Sequence, residues 1–358
     1  MKIAIVGGGS IANTHARALR QLGQRISLVI GTDLARTEAF GRTWGAEKAS
    51  ICFADALAPG IEAVHICTPP VLHYRMASEA LDAGKHVICE KPLALAAADA
   101  KALADLAKRK GLLGAVNFNT RFYEACTQAR ALVQSPDFGP IQLIHGAYLQ
   151  EFHLLPADYM WRYDAELGGL MRAVTEIGSH WIDLARFWSG LEIEAVSAVF
   201  GCFQPERILN GKTMYPAGHK GGAPVRVDSE DAAAVALRFS NGALGNMLLS
   251  EVSPGRSNAL SMEVSSANGA LWWNSEDPYR LNQSLGKFRG SHVRTNAFGG
   301  GFTGTFAVFF EKLYNALAVG YDPDKAADFP TFEDGWKNVA VCESIYKSAC
   351  SASTWTEV

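Results

Sequence analysis

The amino-terminal stretch "IAIVGGGSIANTHA" limits the fold of this chain more than any other segment. A short apolar run, Ile3–Val6, ends in three glycines. From Ser10 the residues Ile11, His15-Ala16, Leu19 and Leu22 recur at helical spacing until Gly23 stops them. Gly7, Gly9 and Ala12 thus stand in G-x-G-x-x-G/A spacing between a strand and a helix. Glycines there let the backbone turn tightly and approach a pyrophosphate. The pyrophosphate then sits on the N–H groups that open the helix, at Ser10, Ile11 and Ala12. The plainer reading is a tight turn with no ligand.

The pattern repeats along the first third. Apolar runs at Ile26–Ile30, Ala63–Cys67, His86–Glu90 and Leu112–Phe118 alternate with helical segments at about 71–83 and 96–110. Short buried runs alternating with amphipathic helices predict a parallel sheet built from βαβ units. After residue 122 the pattern changes. A helix near 123–134 leads into an extended stretch, Ile141–Phe152, and a second helix spans about 170–188. Asn241-Gly242 and Asn268-Gly269 each lie between apolar-rich runs, which predicts two hairpins in an antiparallel sheet. The Gly- and Pro-rich segments 201–228 and 284–304 read as loops, and a closing helix as 333–351. The expected organisation is α/β: a dinucleotide-binding domain over 1–122 and a second domain over 123–358.

With 358 residues the chain is long for one core and suits two. A net charge of −3 gives no reason to expect nucleic acid or an anionic membrane as partner. No apolar run approaches a signal-peptide core or a membrane span. Seven scattered cysteines without C-x-x-C spacing argue against disulfides and structural zinc and suit a cytoplasmic protein.

Three groups of residues point to chemistry. In "CEKPLAL", Lys91 falls at the carboxyl end of a buried strand with Pro92 behind it, an odd place for surface charge. The second strand ends Ile30-Gly31-Thr32-Asp33, with Arg36 following. An acidic side chain at this strand end bonds a ribose 2′-hydroxyl and repels a 2′-phosphate. Gly31 or Thr32 at that position, with Arg36 nearby, leans towards NADP over NAD, whereas Asp33 in that role would restore NAD. Plotted as a helix, "GGLMRAVTEIGSHWIDLARFWSG" puts Leu170, Val174, Ile177, Trp181, Leu184 and Trp188 on one core face. Glu176, His180 and Asp183 form a polar stripe beside it. Solvated helix charges and a metal site are both open readings of that stripe, but no partner cluster of ligands stands elsewhere in the chain. The third reading is acid/base chemistry at His180, tuned by a carboxylate one turn away. The other histidines lack such a setting, and His65 and His86 read as strand packing.

With these motifs the sequence resembles the Gfo/Idh/MocA family, the glucose–fructose oxidoreductase and inositol dehydrogenase group. The likeness runs through "VHICTPPVLHYRMASEALDAGKHVICEKPLAL", "NFNTRFY", "YMWRYD" and the His180 helix to "PTFEDGWKNVAVCESIYKSA". It implies an amino-terminal Rossmann domain and a carboxy-terminal α+β domain whose open, mostly antiparallel sheet often serves as an oligomer face, hence a homodimer or homotetramer. It implies that Lys91 reaches substrate and nicotinamide together and that His180 transfers the proton. The acidic residue four before that histidine is usually aspartate, so Glu176 is a departure; Asp183 matches. Cys67, Thr68, Pro69, His73 and Glu90 fall where the family lines the cofactor crevice. Asn119, Arg121, Trp161 and Arg162 fall where it contacts nicotinamide or sugar. The resemblance thus implies an NAD(P)-dependent dehydrogenase or reductase of a sugar, cyclitol or related polyol. Glycoside hydrolysis through transient oxidation by a bound NAD is the alternative, and a non-catalytic dinucleotide sensor the weakest. Substrate choice should lie in 153–166, 201–228 and 275–300.

Overall fold

The computed structural model describes residues 1–286, 290–296 and 300–358. The chain forms two compact units, Met1–Phe122 with Gly300–Val339, and Tyr123–Gly299 with Ala340–Val358.

In the first unit, β1 (Lys2–Val6), β2 (Arg25–Ile30), β3 (Lys48–Ser50), β4 (Ala63–Ile66), β5 (His86–Cys89) and β6 (Gly114–Val116) make a parallel sheet. Its order is β3-β2-β1-β4-β5-β6. The crossovers are α1 (Ser10–Gln21), α2 (Leu34–Trp44), α3 (His73–Asp82) and α4 (Ala97–Lys110). Strand order reverses between β1 and β4, where open α/β sheets bind ligands at their carboxyl ends. Both faces are covered, so alternate residues of one strand enter different cores. Ala4 and Val6 pack with the buried side chains of α3 and α4, while Ile3 and Ile5 pack with those of α1.

The sequence reading assigned everything after 122 to a second domain, but residues 300–339 return to the first unit. The helix Gly301–Ala318 carries Phe306, Phe309, Phe310 and Leu313, an i, i+3, i+4, i+7 stripe buried on the same face as α1. Thr331 then bridges Ala115 beside β6. Phe310→Ala should lower the unfolding free energy by about 3–5 kcal/mol in urea titrations, the usual cost of deleting a buried ring. An unchanged midpoint would contradict that placement.

In the second unit come α5 (Glu124–Val133), β7 (Ile141–Leu149), β8 (Ala157–Asp158), α6 (Ala165–Gly168) and α7 (Ser179–Ser189). The strands β9 (Ile193–Gly201), β10 (Glu206–Asn210), β11 (Thr213–Pro216), β12 (Ala223–Arg226), β13 (Ala232–Phe239) and β14 (Leu244–Ser250) follow. They continue with β15 (Ala259–Ser266), β16 (Gly269–Asn274), β17 (Arg280–Leu285), β18 (His292–Thr295) and β19 (Thr356–Glu357). The large sheet runs β18-β17-β16-β15-β7-β14-β13-β9-β19. It is antiparallel except where β7 meets β14, and both Asn-Gly dipeptides close hairpins. α5 and α7 cover one face, with Trp181 and Trp188 fully buried. On the other face Leu143, Val199, Leu244 and Leu248 are exposed.

Segment 201–228 is not a loop. With β8 it forms a small sheet in the order β12-β10-β11-β8, whose short strands and glycine-rich turns gave no apolar run to read. Of the expected loop 284–304, β17 and β18 take part, and residues 287–289 and 297–299 lie outside the described residues. The same gaps fall inside the expected specificity segment 275–300.

Candidate active site

Gly7 follows β1 with φ +115°, and a Cβ there would lie 2.5 Å from the Cys67 carbonyl oxygen. Only glycine lets β1 and β4 exit this close together. Gly8, Gly9 and Ser10 are exposed, Ile11 is half-buried and Ala12 is buried. No side chain caps α1 at Gly9, so its first N–H groups present a ready anion cradle. These residues fit a dinucleotide pyrophosphate. After β2, Thr32, Asp33 and Arg36 are all exposed. Asp33 is the N-cap of α2, its Oδ1 accepting from the Arg36 N–H at 2.8 Å.

At the end of β5 the Glu90 carboxylate is buried. Its Oε1 accepts from His15 Nε2 at 2.8 Å and Asn117 Nδ2 at 2.5 Å; its Oε2 accepts from the Lys91 N–H at 3.3 Å. Burial pushes this carboxyl up, but His15, Asn117 and Lys91 together hold it below the usual range. Lys91 is half-buried, and the Lys91–Pro92 peptide is cis. His73 does not line a crevice. It is fully buried, with Nδ1 2.8 Å from the Pro92 carbonyl and Nε2 2.8 Å from the Thr68 carbonyl. It ties the loop after β4 to the loop after β5, and burial draws it below the usual imidazole range. Cys67 is buried, its thiol pushed well up by that burial, while Thr68 and Pro69 are half-buried. Asn119 donates to Thr305 at 2.8 Å and Arg121 pairs with Asp334 at 3.0 Å, both within the first unit.

In the second unit the His180 segment opens with a π turn, Val174–Gly178, and continues as α7. Val174, Ile177, Trp181, Leu184 and Trp188 are buried as the spacing predicts. Leu170 is not: it lies before the first turn and is 63% exposed. Gly178 lets the helix sit on β14, since a Cβ there would meet Leu249 Cδ1 at 2.7 Å. Glu176 and His180 are half-buried, but Asp183 is fully buried and so does not share their open edge. The Tyr148 ring lies 6.4 Å from that of His180. Glu176 pairs with Arg162 Nε, and the Arg162 guanidinium lies over the Trp161 ring at 4.5 Å.

A buried charged cluster that the sequence did not disclose fixes where this helix begins. The Glu230 carboxylate accepts from the N–H groups of Arg172, at 3.0 Å, and Val174, at 2.8 Å. Arg172 pairs with Asp231 and, through Nε at 2.7 Å, with Glu251; Arg207 also reaches Asp231, at 2.9 Å. His153 meets the Tyr163 hydroxyl at 2.5 Å, and burial, then Arg172, drives it down to about 3. Burial pushes Glu251 up to about 8 despite Arg172, and its Oε1 has no hydrogen-bond partner among the described residues. The neutral carboxyl therefore suits the fold. Its stabilisation is complete at low pH and is lost as pH rises through about 8. Melting temperatures should fall from about pH 4.5 to 8 and level off above, and Glu251→Gln should flatten that fall; a slope that survives the substitution would contradict it. Among the described residues no group of three or more His, Cys, Asp or Glu could hold a metal ion, and no helix is long and apolar enough to cross a membrane.

A Rossmann sheet with a glycine turn, joined to a mostly antiparallel sheet carrying a histidine helix, defines a class of dinucleotide-binding oxidoreductases. Residues 1–118 match the oxidoreductase family with an NAD-binding Rossmann fold, and residues 126–272 match the GFO/IDH/MocA C-terminal domain. The chain belongs to the GFO/IDH/MocA family. It is 29% identical to levoglucosan dehydrogenase of Pseudarthrobacter phenanthrenivorans, across 100% of this chain and 98% of that protein. It is 29% identical to scyllo-inositol 2-dehydrogenase (NAD(+)) of Bacillus subtilis, across 71% and 68%. Levoglucosan dehydrogenase in complex with NADH and L-sorbose superposes with a TM-score of 0.91 at 26% identity, covering 100% of this chain and 98% of that one.

Proposed function

We propose that this chain transfers a hydride between a nicotinamide dinucleotide and a secondary alcohol or ketone of a sugar, cyclitol or related polyol. The observation that carries the reading is Lys91 at the carboxyl edge of the parallel sheet, its backbone held by a buried carboxylate that also meets His15 on the helix after the glycine turn. The sugar and cyclitol dehydrogenases named above support the substrate class.

In the oxidising direction, His180 takes the proton of the substrate hydroxyl as the C–H bond breaks. The Lys91 ammonium, a compact charge, faces the oxygen as it gains negative charge and becomes a carbonyl. Nicotinamide, when bound, supplies the hydride-accepting carbon. Glu176 and Arg162, held to each other, address neighbouring hydroxyls, and Trp161 offers an apolar face to the ring. Lys91→Ala should lower kcat by about a hundredfold to a thousandfold, as loss of one oxyanion donor does. His180→Asn should cost about a hundredfold or more, the lower range for a lost general base. Both should leave dinucleotide affinity, read by fluorescence titration, within about twofold, because neither removes uniform binding. The assay is a panel of levoglucosan, scyllo- and myo-inositol, L-sorbose and common hexoses with NAD and NADP separately. Near-normal turnover by Lys91→Ala, or glycoside cleavage without added dinucleotide, would contradict the mechanism.

The dinucleotide is the finer question. With Asp33 engaged as a helix cap and no acidic side chain at Gly31 or Thr32, the position that ends the strand lacks the acidic group that selects NAD. On that ground NADP should match or exceed NAD in kcat/KM, and Thr32→Asp should favour NAD by about tenfold. A strong NAD preference in the unaltered protein would contradict this. The exposed Leu143, Val199, Leu244 and Leu248 suit a homodimer or homotetramer joined through the open sheet face.

A further inference from the structure

Behind Glu90 stand three buried side chains that the proposed reaction does not use. His15 on α1 and His65 on β4 are fully buried, and Tyr314 on the helix Gly301–Ala318 is 5% exposed. The two Nδ1 atoms face each other at 2.9 Å, so a single proton lies between them. His15 Nε2 is 2.8 Å from Glu90 Oε1, and His65 Nε2 is 2.7 Å from the Tyr314 hydroxyl. The rings of Phe306 and Phe310 pack edge-on against the imidazoles, with centroids 4.9–5.6 Å apart, and wall the group in.

The direction of the chain follows from its ends. Burial pushes the Tyr314 hydroxyl well up and draws His65 well down, so the phenol keeps its proton and His65 is neutral. Among the described residues His65 Nε2 is the one hydrogen-bond partner of this buried hydroxyl, so the O–H donates to it. That leaves the His65 proton on Nδ1, donating to His15 Nδ1, and the His15 proton on Nε2, aimed at the carboxylate. Each link sets the tautomer of the next.

We propose that Tyr314, His65 and His15 are positioning residues, a one-way chain of donated hydrogen bonds that fixes the Glu90 carboxylate and, through its Oε2, the backbone that carries Lys91. The effect on turnover rests on the reading of Lys91 above; the chain itself does not. It links the lysine to a helix some two hundred residues away in sequence.

Two measurements test it. In apo protein labelled with 15N-histidine, long-range 1H–15N spectra, assigned with His15→Gln and His65→Gln, should show His65 as the Nδ1–H tautomer and His15 as Nε2–H. Tyr314→Phe should release His65 from that tautomer. A His65 protonated at Nε2, or a His15 protonated at Nδ1, would overturn the chain whatever Lys91 does. With the best-used sugar of the panel, Tyr314→Phe should lower kcat about tenfold, the scale of a small misplacement, with dinucleotide affinity within about twofold. His15→Phe should lose more, and His15→Gln, which keeps an N–H for Glu90, should recover most of it. Unchanged kcat in Tyr314→Phe, or His15→Gln no better than His15→Phe, would overturn the positioning role. If His15→Phe does not fold, Tyr314→Phe, which removes one oxygen, decides. Full activity in Lys91→Ala instead refutes the lysine reading and leaves the tautomer result standing.

Discussion

An ionised carboxylate buried at the end of β5 is the constraint on which the carboxyl edge of the parallel sheet depends. Taking a carboxylate out of water costs several kcal/mol unless donors meet its oxygens. Glu90 is met by His15 from α1, Asn117 from beyond β6 and the backbone of Lys91. Three segments must therefore arrive together for the charge to be tolerated, and their arrival sets the turn from which Lys91 projects. His73 adds a second tie, holding the loop after β4 to Pro92. Gly7 completes the geometry by letting β1 and β4 exit against each other.

The second unit solves a similar problem with the same kind of group. Apolar burial of Trp181, Trp188 and their neighbours holds the His180 helix to the sheet, but does not decide where its first turn lies. Glu230 decides that by accepting the N–H groups of Arg172 and Val174. The widened π turn follows at once, a feature often found where a helix carries function. It places His180 and Glu176 at a half-open edge and turns Asp183 inward.

Regular features were legible in the sequence because they repeat. The βαβ alternation, both Asn-Gly hairpins and the core stripe from Val174 to Trp188 follow from period and turn chemistry alone. Leu170 was misplaced because a helical plot carries no signal for where the helix starts. The return of Gly301–Ala318 to the first sheet was hidden for another reason: an apolar stripe declares that it is buried, not against what. His15 and His65 were read as packing residues, and they are buried. Their partners, Glu90 and Tyr314, lie 75 and 249 residues away, a distance that no local pattern spans. The Arg172 cluster is long-range in the same way, joining residues 153 to 251.

The most direct test follows a label. A sugar deuterated at its ring carbons would be oxidised by the protein with NAD or NADP, and the reduced dinucleotide examined by mass spectrometry. Transfer of one deuterium to the nicotinamide, largely abolished in Lys91→Ala, is the result this account predicts. Deuterium retained in a cleaved sugar, with no reduced dinucleotide formed, would contradict it.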